Sequence, residues 1–214
     1  MSRKGSLVII SGFSGAGKGT VVKALMKKYD NYALSISATT RSPRPGEVDG
    51  REYFFKTRQE FEELIRQDAL YEYAQYVSNY YGTPKAYVQE QLDAGKDVIL
   101  EIEVQGALTV KKKNPEAMLL FVTPPSAREL ENRLVKRGTE SMEVIRERMG
   151  RAAEEAGLMD QYDYLVINDD LDACVEEIHR LVMRERLRME ANQDFVGRIR
   201  QELEEMKESS CPQE

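Results

Sequence analysis

The 214-residue sequence predicts an α/β fold: an open, largely parallel sheet flanked by helices, with a strand-rich insertion and a helical lid near the carboxyl edge of its strands. Three observations carry that expectation. The apolar runs at residues 7–11, 97–103 and 118–122 have the length and near-continuous hydrophobicity of parallel strands buried on both faces. Segments with helical spacing alternate with them. The first run empties directly into a glycine-rich loop that carries a lysine, Gly12-Phe13-Ser14-Gly15-Ala16-Gly17-Lys18-Gly19-Thr20.

That loop has the spacing of a phosphate-binding loop (P-loop): Gly12, four residues, Gly17, Lys18. In such a loop successive backbone N–H groups curl around a polyphosphate while the lysine reaches its outer phosphates. Residues 20–28, with apolar Val21, Val22, Leu25 and Met26, read as a helix whose positive N-terminus faces the loop. One position departs from the pattern. Gly19 stands where a magnesium-binding Ser or Thr is expected, and the hydroxyl comes one place later, at Thr20. No direct protein ligand to magnesium is therefore expected, Thr20 being the candidate nearest the site.

Composition narrows the partners. Hydrophobic residues make up 41% and charged residues 32% of the chain, ordinary for a globular protein of this length. A formal charge of -6 argues against general affinity for nucleic acid or anionic membrane, so a bound anion needs a local cluster of arginines. Cys174 and Cys211 have no metal-type or redox-type spacing. No signal segment is evident, and no apolar stretch approaches the ~20 residues of a membrane helix. A cytoplasmic location is expected. The single histidine, His179, sits in a charged helical stretch, and histidine catalysis is not expected.

Along the chain, residues 33–38 read as a second strand, followed by the turn-rich loop Thr39-Thr40-Arg41-Ser42-Pro43-Arg44-Pro45-Gly46-Glu47. Residues 52–56 alternate aromatics as a short strand does. Thr57-Arg58-Gln59-Glu60 is a capping box that opens a helix through Phe61, Leu64 and Ile65. Residues 71–77 and 79–83 are aromatic strands, so residues 37–88 form the strand-rich insertion. Thr83 is read as the N-cap of the next helix, with Pro84 at its first position, Val88 and Leu92 along it and Gly95 closing it. After the strand at 97–103 a helix runs to about Lys113. The strand at 118–122 leads to a second capping box, Ser126 to Glu129, and a helix reaching Arg137 and Gly138.

Arg133, Arg137, Arg146, Arg148 and Arg151 lie on two helical stretches joined at Gly138-Thr139, a hinged lid over residues 126–160. Residues 164–167 form the last strand and end in Asn168-Asp169-Asp170, and Leu171 onward is helical to the vicinity of Lys207. The expected division is core at 1–36, 89–125 and 161–208, the insertion and the lid between these parts, and a frayed tail at 209–214. Leu187, Phe195, Val196, Ile199, Leu203 and Met206 fall near helical spacing, either as a terminal helix packed on its own core or as one used for self-association.

The acceptor has to be read from residues outside the loop. Arg41 and Arg44 lie three apart in a loop leaving a strand end, and a guanidinium fork matches phosphate oxygens; as isolated residues they also suit a solvated surface. Tyr53 and Tyr81 add hydroxyl donors for the same anion. Glu72 sits among tyrosines, where a carboxylate needs a specific donor. Guanine supplies one through its ring N–H and exocyclic amino group, which point the same way.

These residues together resemble the guanylate kinase family, over about residues 5–186. The resemblance rests on residues 37–47, on Asn79-Tyr80-Tyr81-Gly82-Thr83, on Glu101-Ile102-Glu103-Val104-Gln105-Gly106 and on Asn168-Asp169-Asp170. It implies ATP on the loop from Gly12 to Thr20 with Mg2+, and GMP, with dGMP, as acceptor. It implies that Arg41, Arg44, Tyr53 and Tyr81 hold the GMP phosphate, and that Ser37, Glu72 and Thr83 read the guanine edge. Arg133, Arg137 and Arg148 become lid arginines acting with Lys18 and Arg41 in catalysis, and Asn168 lies near the adenine. Glu101 and Glu103 stand where the family often has aspartates. Glu103 is assigned to the GMP side, with guanine, magnesium water and a neighbouring arginine left open as the contacts of both. Two rivals stand beside this reading: a kinase of the same fold acting on another phosphorylated acceptor, and an interaction module that keeps the fold without the chemistry.

Overall fold

The computed structural model describes residues 4–76, 78–138 and 141–209; Val77, Thr139 and the tail with Cys211 lie outside them. The chain divides into two compact units, Met1–Glu176 and Glu177–Glu214.

In the first unit β1 (Leu7–Gly12) leads through the glycine-rich loop to α1 (Lys18–Lys28) and β2 (Tyr32–Leu34). A smaller lobe follows, comprising β3 (Ala38–Thr39), β4 (Phe54–Phe55), α2 (Arg58–Arg66), β5 (Leu70–Tyr76) and β6 (Asn79–Pro84). The chain then returns through α3 (Lys85–Asp93), β7 (Asp97–Glu101), α4 (Val104–Lys113) and β8 (Met118–Thr123). It continues with α5 (Ala127–Lys136), α6 (Met142–Ala156), β9 (Tyr164–Ile167) and α7 (Leu171–Glu185), which runs on into the second unit.

The main sheet has the order β2-β7-β1-β8-β9 with every pairing parallel. Central β1 explains its own hydrophobicity: Val8, Ile9 and Ile10 are fully buried, as are Ile99 and Leu100 of β7 and Leu119 and Leu120 of β8. On one face α3 and α4 place Val88, Leu92, Ala107 and Val110 against Ile9, Val98, Leu100 and Leu119. Alternation sends Val8, Ile10 and Ile99 to the other face, where α1 packs along β1, β2 and β7. Burying each such side chain contributes about 1.5–3 kcal/mol. The carboxyl ends of β1 and β7 therefore open on the same side, at the loop.

The smaller sheet has the order β4-β3-β6-β5. Phe61 of α2 is fully buried under it and stacks on Tyr80 with ring centroids 5.2 Å apart. The Thr57 capping box forms in full, with its side chain accepting from the Glu60 N–H and the Glu60 carboxylate accepting from the Thr57 N–H. Ser126 caps α5 in the same way, but Glu129 turns its carboxylate to Arg133 at 2.9 Å.

Several elements depart from the sequence reading. The strand expected at residues 33–38 is two strands in two sheets. Ser35 still donates its N–H to Ile99 O, and by Ser37 the chain has crossed to the small sheet, where Ser37 O accepts from Phe54 N. The strand at 52–56 shrinks to Phe54–Phe55 because the Glu52 and Asp49 carboxylates bind the N–H groups of Val48 and Phe55 as loop caps. Helix α3 begins one residue later than expected, with Pro84 at its N-cap, and the Thr83 hydroxyl turns into the small lobe instead. Helix α1 begins two residues earlier, directly from Gly17.

In the second unit the long terminal helix is broken. After α7 a single 3-10 turn, Glu190–Asn192, precedes α8 (Gln193–Ser209). The Asn192 amide donates to the carbonyls of Arg186 and Arg188, satisfying helix-end acceptors that a continuous helix would have bonded itself. Phe195, Ile199, Leu203 and Met206 of α8 are exposed. Among the described residues no helix is long and apolar enough to cross a membrane.

Candidate active site

The loop after β1 is built by backbone that other residues could not adopt. Gly12 has φ +142°, and a Cβ there would lie 2.0 Å from Val122 O. Gly17 has φ +91°, and a Cβ there would lie 2.6 Å from the Asn168 amide nitrogen. Lys18 Nζ spans the loop, donating to Gly12 O at 2.6 Å and Phe13 O at 3.2 Å. Gly15 packs under Leu134, and Ala16 is fully buried. Thr20 is exposed on the first turn of α1.

Three more elements hold this loop. Asn168, at the end of β9 and 7% exposed, donates its amide to Ala16 O at 2.8 Å while its own N–H bonds Thr123 O. Arg133 of α5 donates to Asn168 O at 2.9 Å and Ala16 O at 3.4 Å. Arg148 of α6 donates to Ser14 Oγ at 2.8 Å. Arg137 is not drawn in; it is exposed at the C-cap of α5, and its guanidinium has no hydrogen bond or ion pair among the described residues.

Acids face this cationic loop. A Cβ on Gly19 would meet Glu101 Oε1 at 3.4 Å, so a carboxylate occupies the side on which the expected hydroxyl would project. Burial pushes the Glu101 carboxyl up, and the Lys18 and Lys23 charges oppose it. Glu103 forms the N-cap position of α4. Glu155 of α6 is raised by burial and by repulsion from Glu103, with Lys18 opposing. Glu155 was not legible in the sequence, because only the folded path of α6 brings its charge within range of Glu103 and Lys18. Among the described residues no group of three or more His, Cys, Asp or Glu is placed to hold a metal.

The smaller lobe presents a second polar set. Arg41 donates to Glu47 Oε1 at 2.9 Å and to Ser42 O, and its guanidinium lies over the Tyr53 ring at 5.3 Å and the Phe55 ring at 5.7 Å. Tyr53 and Tyr81 meet edge to face at 6.1 Å. The Arg44 N–H bonds Glu47 Oε2 at 2.7 Å, while its guanidinium has no hydrogen bond among the described residues. Across β5 and β6 the buried Thr83 hydroxyl donates to Glu72 Oε1 at 2.7 Å. Burial pushes the Glu72 carboxyl up, and the Thr83 bonds hold it back. Gly106 of α4 leaves room for the other oxygen; a Cβ there would lie 3.5 Å from Glu72 Oε2. Ser37 sits at the crossing between sheets, half-buried. A cavity of ≈ 390 Å³ lined by Tyr71, Lys85, Gln89 and Lys113 contains none of these residues.

A P-loop buttressed by arginines and a lobe holding a guanidinium, two tyrosines and a half-buried carboxylate agree with what the sequence comparison finds. The family model for guanylate kinase matches residues 4–185. The chain belongs to the guanylate kinase family. It is 56% identical over 191 residues to a guanylate kinase of Streptococcus thermophilus, covering 89% of this chain and 91% of that one. To a guanylate kinase of Caldanaerobacter subterraneus subsp. tengcongensis it is 51% identical over 202 residues, 94% and 98% of the two chains. The crystal structure of guanylate kinase from Anaplasma phagocytophilum superposes with a TM-score of 0.67 at 28% identity, over 88% of this chain and 89% of that one. The parallel sheet with flanking helices is thus the P-loop NTPase fold of the guanylate kinases.

Proposed function

We infer that this chain transfers the γ-phosphoryl group of ATP to GMP, giving ADP and GDP, and that it accepts dGMP. The observation that carries the choice of acceptor is the half-buried Glu72 carboxylate bonded to the buried Thr83 hydroxyl. A carboxylate pair of oxygens suits the parallel ring N–H and amino donors of guanine, which adenine lacks.

In this reading the loop N–H groups from Gly12 to Thr20 and Lys18 hold the ATP phosphates, with Asn168 and Arg133 fixing the loop. Arg41, Arg44, Tyr53 and Tyr81 hold the GMP phosphate; Ser37, Thr83, Glu72 and Glu103 face the guanine side. A GMP phosphate oxygen attacks the γ-phosphorus in line as the bond to the β–γ bridging oxygen breaks, and the electron pair leaves with ADP. The protein aligns two anions and offsets their charge. Lys18, Arg41, Arg133, Arg137 and Arg148 spread the charge of the transferred group. Mg2+ bound with ATP supplies charge neutralisation of the phosphates. The donor set fits an ion that would be held mostly by nucleotide and water, with Thr20 as the nearby hydroxyl and Glu101 as a carboxylate that would accept from its water shell.

The insertion at 37–88 and the lid at 126–160 are the moving parts in this reading, closing to exclude water. The setting is cytoplasmic purine nucleotide metabolism and GMP recycling. Self-association through α8 would cover its exposed apolar residues; light scattering of the whole chain against one cut after Leu187 tests it, and the same number of subunits in both refutes it.

ADP release is measured with ATP and each common nucleoside monophosphate. Turnover with GMP and dGMP, and little with AMP, CMP or UMP, is expected. Turnover only with another phosphorylated acceptor supports the first rival, and no ADP release from folded protein supports the interaction module.

A further inference from the structure

Glu47 belongs to the arginine loop but has none of the roles given above, yet it organises that loop. Its two carboxylate oxygens are divided: Oε1 accepts from the Arg41 guanidinium at 2.9 Å and Oε2 from the Arg44 backbone N–H at 2.7 Å. A third bond, from Glu47 N to Arg44 O, closes the turn. Gly46, with φ +89°, supplies the reversal that lets residue 47 face back toward 41 and 44. The Arg41 and Glu47 side chains are only 16% and 18% exposed, far more sheltered than the arginine pairs Arg51–Glu52, Arg58–Glu62 and Arg66–Glu63 of the same lobe. On its flanks Arg41 is held by the Tyr53 and Phe55 rings.

We propose that Glu47 is a positioning residue for the phosphoryl acceptor: it fixes the Arg41 guanidinium and the Arg44 backbone in the orientation that receives the GMP phosphate. The proposal rests on the assignment of Arg41 and Arg44 to that phosphate. A guanidinium carries more N–H donors than Arg41 spends on Glu47 and Ser42, so the rest are free for phosphate oxygens once the plane is fixed. A loop of Pro, Gly and Ser would otherwise lose conformational freedom on binding, which weakens affinity without touching chemistry. The carboxylate is needed in full, because both oxygens accept; an amide can accept with only one.

The test compares Glu47→Gln, Glu47→Asp and Arg41→Lys with the parent, using GMP and ATP as the varied substrates and the melting temperature as a control. Glu47→Gln is expected to raise the GMP KM about tenfold, with the ATP KM and kcat within about twofold and the melting temperature unchanged. Glu47→Asp, which keeps both acceptors on a shorter arm, should recover part of the loss. In the Arg41→Lys background Glu47→Gln should add little, since the two act as one unit. An unchanged GMP KM in Glu47→Gln overturns the proposal, as does a lowered one, which would make Glu47 a competitor of the phosphate. An unchanged GMP KM in Arg41→Lys overturns the underlying assignment of Arg41 instead, so the two failures are distinguishable.

Discussion

The Thr83 hydroxyl donates to Glu72 Oε1 at 2.7 Å, tying together neighbouring strands of the small sheet through a half-buried carboxylate. The pair is made possible by the register shift between Leu70 and Tyr73 and by Gly82, where a Cβ would lie 2.7 Å from Glu72 O. Desolvation raises the Glu72 pKa, and the Thr83 bonds lower it less than burial raises it.

GMP binding should therefore weaken on acidification. As pH falls toward the raised Glu72 pKa, the carboxyl gains a proton and loses an acceptor for guanine, so the GMP KM rises while the ATP KM does not follow. Stability runs the other way. A folded-state pKa above the unfolded value means the folded chain binds more protons, so stability falls as pH rises from the unfolded carboxyl value through the folded one. Glu72→Gln should melt at or above the parent temperature at neutral pH and lose that advantage in acid, while its GMP KM rises about 10- to 100-fold. Melting curves and GMP kinetics across pH check both.

Arg133 and Arg148 should separate into two kinds of arginine. Arg148 donates to a side-chain hydroxyl of the loop, Ser14 Oγ, whereas Arg133 donates to the carbonyls of Ala16 and Asn168 and to the Glu129 carboxylate. Arg148→Ala is expected to lower kcat by about 10²–10³. Arg133→Ala is expected to lower kcat and also to cost about 1–2 kcal/mol of stability, because carbonyls at the loop lose a charged donor. An Arg133→Ala variant as stable as the parent would contradict its buttressing role.

Asn168→Ala removes the buried donor to Ala16 O, leaving that carbonyl the 3.4 Å contact from Arg133. A loss of about 1–3 kcal/mol and a higher ATP KM are expected, with the GMP KM unchanged. Denaturant melts and ATP titrations measure the two effects.

The P-loop was legible because its glycines, lysine and flanking strand and helix are consecutive. The parallel core was legible for the same reason: Val8 to Ile10 and Val98 to Leu100 are apolar on both faces. What the sequence concealed was set by distant partners. Residues 33–38 carry one hydrophobic pattern but serve two sheets, and nothing local marks Ser35 to Ser37 as the crossing. Thr83-Pro84 has the composition of a helix cap, yet Glu72 on the adjoining strand competes for the hydroxyl and wins. Glu155 comes within electrostatic range of Lys18 only through the path of α6, and Glu47 shows its division between Arg41 and Arg44 only once the turn at Gly46 is folded. Arg137, equal to its neighbours in the sequence, ends outside the cluster because α5 terminates at Lys136 and leaves it on the exposed cap.

Two glycines of the same loop should respond to substitution in opposite ways. At Gly12 a new Cβ would sit 2.0 Å from the Val122 carbonyl oxygen, a backbone atom of the neighbouring strand, with φ +142° adding strain. Neither can relax without parting β1 from β8, so Gly12→Ala should unfold the loop and abolish ATP binding. At Gly19 no positive φ is required, and the nearest atom to a new Cβ is a carboxylate oxygen at 3.4 Å on the flexible side chain of Glu101. Gly19→Ser should fold with a melting temperature close to the parent's, its hydroxyl donating to Glu101 in place of water. The ATP KM should stay within about threefold, a shift of less than 1 kcal/mol. A Gly19→Ser variant that fails to fold or to bind ATP would show that the Glu101 carboxylate is held rigidly against the loop, and calorimetry with ATP and Mg2+ on both variants distinguishes the outcomes.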